Sequence, residues 1–301
     1  MTPPGFHVLT IAADDGVRLA ATRVGRRDAA ATVVYLHPLL RERGFWFPVA
    51  RRMDEQLCGA VAQLTYDQRG HGDSGIPDRR EITTLRRLAD DLDAVLARAC
   101  GSVVLVAHST AAQLVYAYAT AHPDHAATLA GLVFLNATAE PLSLPRYLQI
   151  WPPRLIRLRA HRALDPVTAA GEALLGYRLR RNGGPLPASA GADARVAIDI
   201  LGTHPRYGLP VAIAERLRHI PSVVLAGERD RFIPPQQAVG LANALWADYD
   251  IVTGAGHHLP HTHLDRATNA VTATLDHALR VHLEHANPAT TPTPGTEPGR
   301  T

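Results

Sequence analysis

Three side chains that together could perform nucleophilic catalysis stand far apart in the chain, in the order serine, aspartate, histidine. They are Ser109, Asp230 and His257, and each follows closely on a short run of apolar residues. A serine hydroxyl is a weak nucleophile until a histidine accepts its proton, and a carboxylate orients that histidine. If the fold brings the three together, they could attack the carbonyl carbon of an acyl compound.

The segments that must position these side chains alternate between strand-like and helix-like patterns. Short apolar runs predict strands at 8–13, 17–23, 32–37, 61–66, 102–106, 129–135, 222–226 and 248–253. The intervening segments predict helices at 44–56, 81–99, 112–121, 235–246 and 267–283. This alternation predicts an α/β fold with a mostly parallel central sheet of about eight strands and helices on both faces. The first two strands flank Asp14-Asp15-Gly16 and should form an antiparallel hairpin.

The predicted strands also place the three candidate residues at one edge of the sheet, because functional groups collect at the carboxyl ends of parallel strands. The alternation breaks at 140–217, a stretch rich in arginine and proline that we interpret as a helical cap over one end of the sheet. We therefore predict a core of residues 1–139 and 218–285. The last residues, 286–301, are rich in proline, threonine and glycine and should be a disordered tail.

Five short motifs resemble those of the α/β-hydrolase superfamily, and the stretch from about 8 to 284 looks like a capped single-domain esterase or lipase. The motifs are Leu36-His37-Pro38-Leu39, Tyr66 to Gly75 (Y-D-Q-R-G-H-G-D-S-G), Ala107-His108-Ser109-Thr110-Ala111, Gly227-Glu228-Arg229-Asp230 and Gly254-Ala255-Gly256-His257. They occur in the family's order and spacing. In the second motif, the charged residues Asp67, Arg69 and Asp73 are expected to be structural, as the resemblance implies.

The resemblance implies a role for each site residue. Ser109 Oγ would attack an acyl carbonyl, and His257 would carry the serine's proton to the leaving group. Asp230 would hold the histidine tautomer. The backbone N–H groups of Leu39 and Thr110 would form the oxyanion hole that stabilises the developing negative charge.

Two departures from the family pattern bear on the site. The elbow that carries the nucleophile usually has a glycine on each side, whereas here both are alanines, Ala107 and Ala111. Each alanine adds only a methyl group, so the sharp turn is still expected to form. Pro38 stands where a glycine usually follows the histidine, and proline has no N–H to donate. A positive φ at Ser109, with His257 within hydrogen-bond reach, would show that the altered elbow holds the serine at attacking geometry.

Each assignment has an alternative that the residues themselves leave open. Ser109 could cap the helix that follows it, because serine is favoured at that position. Glu228 competes with Asp230 as the acid, and His258 competes with His257 as the base. The register of the motifs favours Asp230 and His257.

A metal site is the alternative suggested by the histidines at 257, 258, 261 and 263. One histidine suffices as a base, and no carboxylate or cysteine motif accompanies the cluster at ligand spacing. We therefore predict that the site uses neither a metal nor another cofactor.

Candidate substrate contacts are His37, His108 and Trp151, although the side chain of His108 should point away from the adjacent serine and pack. Trp151 opens the segment 151–162, which mixes arginine with apolar residues. We interpret this segment as a lid helix with a solvated basic face. Alternatively, this segment could contact an anionic membrane surface or bind a substrate phosphate.

Composition excludes several other classes of function. The 301-residue chain is 46% hydrophobic and contains no lysine, so neither Schiff-base chemistry nor a P-loop lysine is available. A net charge of +3 does not indicate a nucleic-acid partner. Without a secretory signal or a long apolar run, the chain is expected to be cytoplasmic, with Cys58 and Cys100 as buried, reduced thiols. Nothing in the sequence indicates an oligomeric state.

These observations favour a serine hydrolase that cleaves a small-molecule carboxylic ester, with an apolar acyl group, through an acyl-enzyme. Thioesterase, lactonase, carbon–carbon bond hydrolase and perhydrolase activities use the same triad and stay open. A non-catalytic ligand-binding protein of this fold is the alternative from another class, because fold alone does not fix function.

Overall fold

The computed structural model describes residues 5–78, 80–142 and 192–286. Most of the predicted cap lies outside the described residues, including Trp151 and the arginine-rich segment 151–162. The predicted tail from residue 287 onward lies outside them as well.

Eight strands form one sheet in the order β1-β2-β4-β3-β5-β6-β7-β8. The strands are β1 (His7–Ala12), β2 (Arg18–Val24), β3 (Ala31–Leu36), β4 (Ala62–Tyr66), β5 (Ser102–His108), β6 (Gly131–Leu135), β7 (Ser222–Gly227) and β8 (Asp248–Val252). The first two form the predicted antiparallel hairpin, and β2 also pairs antiparallel with β4. The other strands of the sheet, β4, β3, β5, β6, β7 and β8, run parallel to one another. The predicted fold class is confirmed.

Helices cover both faces of this sheet. The described helices are α1 (Phe47–Leu57), α2 (Leu85–Leu96), α3 (Ala111–Ala121), α4 (Pro123–Ala126), α5 (Ala194–Thr203), α6 (Val211–Leu217), α7 (Pro235–Leu245), α8 (Leu259–Thr262) and α9 (Leu264–Ala286). Side chains of α2, α3, α5, α6 and α7 pack into one apolar cluster, and side chains of α1 and α9 pack into a second one on the opposite face. Within residues 5–78, 80–142 and 192–286, no helix combines the length and apolar character needed to cross a lipid bilayer.

Local chemistry explains where the predicted boundaries shift. The predicted helix 44–56 is a 3₁₀ turn, Arg43–Trp46, followed by α1, whose first turn contains Pro48. The predicted helix 81–99 starts later, because Thr84 Oγ1 accepts the N–H of Arg87 and caps α2. The expectation that both cysteines are buried is wrong. Cys58 is exposed at the C-cap of α1, and Cys100 is half-buried; both are free thiols.

Residues 192–217, the larger described part of the predicted cap, contact the core directly. Val196 and Ile200 of α5 are buried in the same cluster as the helices of that face. The N–H of Asp193 donates to the carbonyl of Gly70 at 2.7 Å, which ties the start of α5 to the loop after β4. The limits of the cap stay a prediction.

Candidate active site

Ser109 lies in a sharp turn between β5 and α3. Its φ is +56°, a left-handed value that non-glycine residues rarely adopt. Its N–H donates to the carbonyl of Leu135 at the end of the neighbouring strand β6, at 3.1 Å. Thr110, and not Ser109, is the N-cap residue of α3, and no side chain caps that helix. Ser109 therefore occupies the conformation expected of a nucleophile elbow, and the helix-cap alternative does not describe it.

The two alanines beside the serine are buried within the core. Ala107 is the penultimate residue of β5, and Ala111 is the first residue of α3. Both side chains are at most 3% exposed and belong to the apolar cluster on the α3 face. The strand and the helix thus pack around two methyl groups while the serine between them keeps its positive φ.

Asp230 and His257 are joined directly. Asp230 follows β7, and one of its carboxylate oxygens accepts the N–H groups of Phe232 and Ile233 at 2.8 and 3.0 Å. The other lies 2.7 Å from His257 Nδ1. The Asp230 side chain is fully buried, and that of His257 is 17% exposed. An ionised carboxylate only accepts hydrogen bonds, so Nδ1 carries the hydrogen and Nε2 is left as a base.

The competing residues lie elsewhere. The side chain of Glu228 is 48% exposed. Its Oε2 accepts the N–H of Gly254 at 2.8 Å, and among the described residues no hydrogen bond joins it to His257. His258 is half-buried, and burial together with the neighbouring His257 lowers its pKa. Among the described residues, Asp230 is hydrogen-bonded to His257 and not to His258.

Ser109 is not hydrogen-bonded to the Asp230–His257 pair. Within the described residues, no hydrogen bond joins Ser109 Oγ to His257, so the structure brings Asp230 and His257 together but does not close the bond from the histidine to the serine. The backbone of His257 is nevertheless tied to the elbow, because its carbonyl accepts Nε2–H of His108 at 2.8 Å. Catalytic hydrogen bonds of this kind often form only when substrate is present.

The peptide between Pro38 and Leu39 is held at both of its polar ends. Its carbonyl accepts Nδ1–H of His37 at 3.0 Å, and its N–H donates to Thr110 Oγ1 at 2.6 Å. His37 Nε2 in turn accepts the N–H of Gln68 at 3.0 Å. Burial lowers the pKa of His37 to about 4, which keeps the ring in this neutral tautomer. The Leu39 N–H is therefore aimed at Thr110, the residue beside Ser109, and is occupied by that hydroxyl in this structure.

Comparison with known proteins places the chain in a family. A model of the alpha/beta hydrolase family matches residues 33–271 of the chain. The chain belongs to the alpha/beta hydrolase family. Among curated proteins, the comparison finds no match.

Solved structures of other proteins share the fold. A thermophilic esterase from Thermogutta terrifontis with malate bound is 23% identical, with a TM-score of 0.62 over 90% of this chain and 99% of that one. The enol-lactonase from Burkholderia xenovorans is 21% identical, with a TM-score of 0.65 over 89% and 100%. An esterase from Exiguobacterium antarcticum is 17% identical, with a TM-score of 0.65 over 90% and 100%. At these identities the likeness shows the fold alone.

Asn136 connects three strand ends of this alpha/beta hydrolase. It follows β6 with a φ of +49°. Its Oδ1 accepts the N–H of Gly227 at the end of β7, at 2.7 Å. Its Nδ2 donates to the carbonyls of Gly256 and His257, at 3.0 and 2.9 Å. No sequence motif marks Asn136, so its role in fixing the histidine loop could not be predicted.

His108 and His37, predicted as candidate substrate contacts, both bond within the protein. The His108 ring is buried and packs at a tilt against Phe45, with 5.2 Å between ring centroids. Burial holds its pKa well below the usual histidine value, so the ring is neutral and Nε2–H is its donor to His257. Both ring nitrogens of His37 form hydrogen bonds that hold the loop after β3. The third candidate, Trp151, lies outside the described residues.

The charged loop after β4 uses its charges inside the protein. Asp67 accepts the N–H of Arg43 at 2.6 Å and is ion-paired with the Arg43 guanidinium. Arg69 is fully buried and pairs with Asp91 at 2.6 Å. Gly72 has a φ of +51°, and a Cβ there would lie 2.2 Å from an Asp67 carboxylate oxygen. The loop is thus a packed structural unit, and these charged side chains stabilise it.

Proposed function

We propose that the chain is a serine hydrolase that cleaves a small-molecule carboxylic ester through a covalent acyl-enzyme. The observation that carries this proposal is the 2.7 Å bond between Asp230 and His257 at the same sheet edge as Ser109, whose φ is +56°. A serine, a base and an orienting acid on loops after β5, β7 and β8 are the parts that acyl transfer requires.

In this mechanism the proton moves through His257. Ser109 Oγ attacks the carbonyl carbon while His257 Nε2 accepts the hydroxyl hydrogen, and the resulting imidazolium is stabilised by the buried Asp230 carboxylate. His257 then donates that proton to the departing alkoxide. The ester bond breaks and an acyl-serine remains, which a water molecule activated by the same histidine hydrolyses.

The negative oxygen of the intermediate needs hydrogen-bond donors. The backbone N–H of Thr110 is one candidate, and it lies at the start of α3, where the helix dipole adds to its effect. The Leu39 N–H is the second, and to reach the substrate oxygen it must leave its present acceptor, Thr110 Oγ1. Because that hydroxyl accepts from Leu39, its own hydrogen is available to the substrate, so Thr110 would act through both its backbone and its side chain.

Aromatic surface beside the base supports an apolar substrate group. The Phe232 ring lies 5.0 Å from the His257 ring, between centroids, and is 49% exposed. An acyl or alcohol group that reaches His257 would meet this ring and gain from its burial. A lactone is the second candidate substrate, because a structural neighbour is described as an enol-lactonase.

The test compares wild-type protein with Ser109→Ala on p-nitrophenyl esters of graded acyl length and on thioester and lactone counterparts. Wild type should hydrolyse at least one ester, and the variant should lose this activity. Ser102→Ala, at the start of β5, is the matched control and should behave as wild type.

A fluorophosphonate probe distinguishes catalysis from ligand binding. It should modify Ser109 in folded wild-type protein and leave Ser109→Ala unlabelled. Absence of labelling, together with no turnover of any ester, thioester or lactone, would favour the non-catalytic alternative.

A further inference from the structure

Two aspartates and two histidines meet on the surface where α2 packs against the end of α3. Asp90 and Asp93 stand one turn apart on α2, while His122 is the C-cap of α3 and His125 lies in α4. His122 Nε2 lies 2.9 Å from a carboxylate oxygen of Asp90, and His125 Nδ1 lies 2.7 Å from one of Asp93. None of these side chains takes part in the proposed acyl transfer.

Three of them offer ligand atoms at the spacing of a metal site. One nitrogen each of His122 and His125 and one carboxylate oxygen of Asp93 all lie within 4.8 Å of one another. A tetrahedral zinc ion with bonds of about 2.0–2.1 Å holds its ligand atoms about 3.3 Å apart. The His125 side chain is 65% exposed, so it is free to close the remaining distance.

Neighbouring groups already hold the other two ligands in orientation. The Tyr118 hydroxyl donates to Asp93 at 3.1 Å, and its ring stacks on His122 with 5.4 Å between centroids. The Asp90 carboxylate holds His122 through Nε2, so the metal would bind the other ring nitrogen, Nδ1. A carboxylate that bonds to a ligating histidine is the usual outer support of a protein-bound metal.

We propose that His122, His125 and Asp93 bind one divalent first-row transition metal ion, Zn²⁺ being the probe of choice, with Asp90 orienting His122. Imidazole and carboxylate together suit this class of ion, and three protein ligands leave a fourth position for water. Surface ion pairs alone would give the cluster little stability. The metal would cross-link α2 to the α3–α4 corner.

This site is separate from the serine. Ser109 precedes α3 and His122 ends it, and a helix of this length spans about 16 Å at about 1.5 Å per residue. The ion would therefore stabilise the helical layer without touching the acyl substrate. Metal binding and ester hydrolysis can then be tested independently.

The experiment is zinc titration of the full chain by calorimetry, after chelator treatment and at neutral pH, with thermal unfolding of the same samples. Wild type should bind one zinc ion at this site and unfold at a higher temperature with zinc than without it. His125→Gln and Asp93→Asn should lose that equivalent and the thermal shift, while Asp90→Asn should bind about 10–100-fold more weakly. His7→Gln, an exposed histidine on β1, is the matched control and should bind like wild type.

Cobalt supplies an independent readout, because a tetrahedral Co²⁺ site absorbs visible light. These bands should appear in wild type and be absent in His125→Gln. The proposal is overturned if wild type binds no zinc, or if His125→Gln and Asp93→Asn keep wild-type affinity and stoichiometry. It is equally overturned if His258→Gln, in the histidine cluster of the candidate active site, removes the equivalent.

Discussion

Replacing Asn136 with alanine should damage both the stability of the protein and its turnover, although this side chain touches no reacting atom in the proposed mechanism. The change removes three hydrogen bonds at once, of 2.7, 2.9 and 3.0 Å. One of them is donated by the backbone N–H of Gly227, a buried residue at the end of β7. A buried donor without an acceptor costs about 1–3 kcal/mol, and the two weakened carbonyl contacts bring the expected loss of unfolding free energy to about 2–4 kcal/mol.

The expected kinetic effect is smaller than loss of the triad. The His257 carbonyl keeps its bond to His108, so the histidine loop stays attached to the elbow at one point. A loop that keeps only one of these three bonds should misplace Nε2 part of the time, lowering kcat by about 10–100-fold, the equivalent of about 1.4–2.7 kcal/mol. KM should change little, because Asn136 contacts backbone and not substrate.

The assay is urea unfolding followed by steady-state hydrolysis of the best p-nitrophenyl ester, with Asn269→Ala on the exposed side of α9 as the control. An Asn136→Ala variant with the same unfolding midpoint and the same kcat as wild type would refute this reasoning.

A second variant, Asn136→Asp, should make the stability of the protein depend on pH. Its carboxylate would face two carbonyl oxygens, which raises its folded pKa above the unfolded value of about 4. Its stability relative to wild type should then be better near about pH 5 and fall as pH rises through the folded pKa.

Three further predictions concern the elbow, the acid and the oxyanion loop. Thr110→Val should lower kcat/KM by about 10-fold or more, because a methyl group replaces the acceptor of the Leu39 N–H. Thr110→Ser keeps the hydroxyl and should keep most of the activity. Equal rates for the two variants would contradict the hydroxyl's role. Asp230→Asn should lower kcat by about 10⁴-fold, while Glu228→Gln should leave it within about twofold, measured on the same ester. Ala107→Gly with Ala111→Gly should restore the family's elbow glycines and keep kcat. It should lower the unfolding free energy by about 2–3 kcal/mol, since two buried methyl groups and helix propensity are lost. A large gain in kcat would show that the alanines distort the serine.

Most of the fold could be predicted because its signals are local. Apolar runs of strand length mark all eight strands, and turn residues such as Asp14-Asp15-Gly16 mark the hairpin. The boundaries that moved depend on single contacts, such as the Thr84 cap of α2, which a pattern of apolar residues does not contain. The exposure of Cys58 escaped prediction for a similar reason. Its residue type favours burial. Cys58, however, has a left-handed backbone conformation at the C-terminal end of α1, and its side chain is exposed there.

In the candidate site too, the sequence predicts some contacts and not others. Asp230 and His257 could be predicted to meet because their motifs fix the strand ends that carry them. The supporting contacts could not be predicted, because they join residues far apart in sequence. Leu39 and Thr110 are 71 positions apart, and Asn136 and Gly227 are 91 apart. Such pairs depend on how neighbouring strand ends are staggered, which no single segment encodes.

The distribution of backbone strain points to the same edge of the sheet without reference to any motif. In the described part of the chain, five non-glycine residues have positive φ. Two of them, Cys58 and Trp246, end helices, where left-handed residues are common. The other three, Leu40, Ser109 and Asn136, follow β3, β5 and β6 at their carboxyl ends. Each such residue costs about 1–3 kcal/mol, and strain of this kind gathers where a surrounding structure must hold groups in place for function. Because β3, β5 and β6 are neighbours in the sheet, the strained residues lie side by side. A fold that needed only stability would not place them together, and this supports catalysis at the edge that holds Ser109.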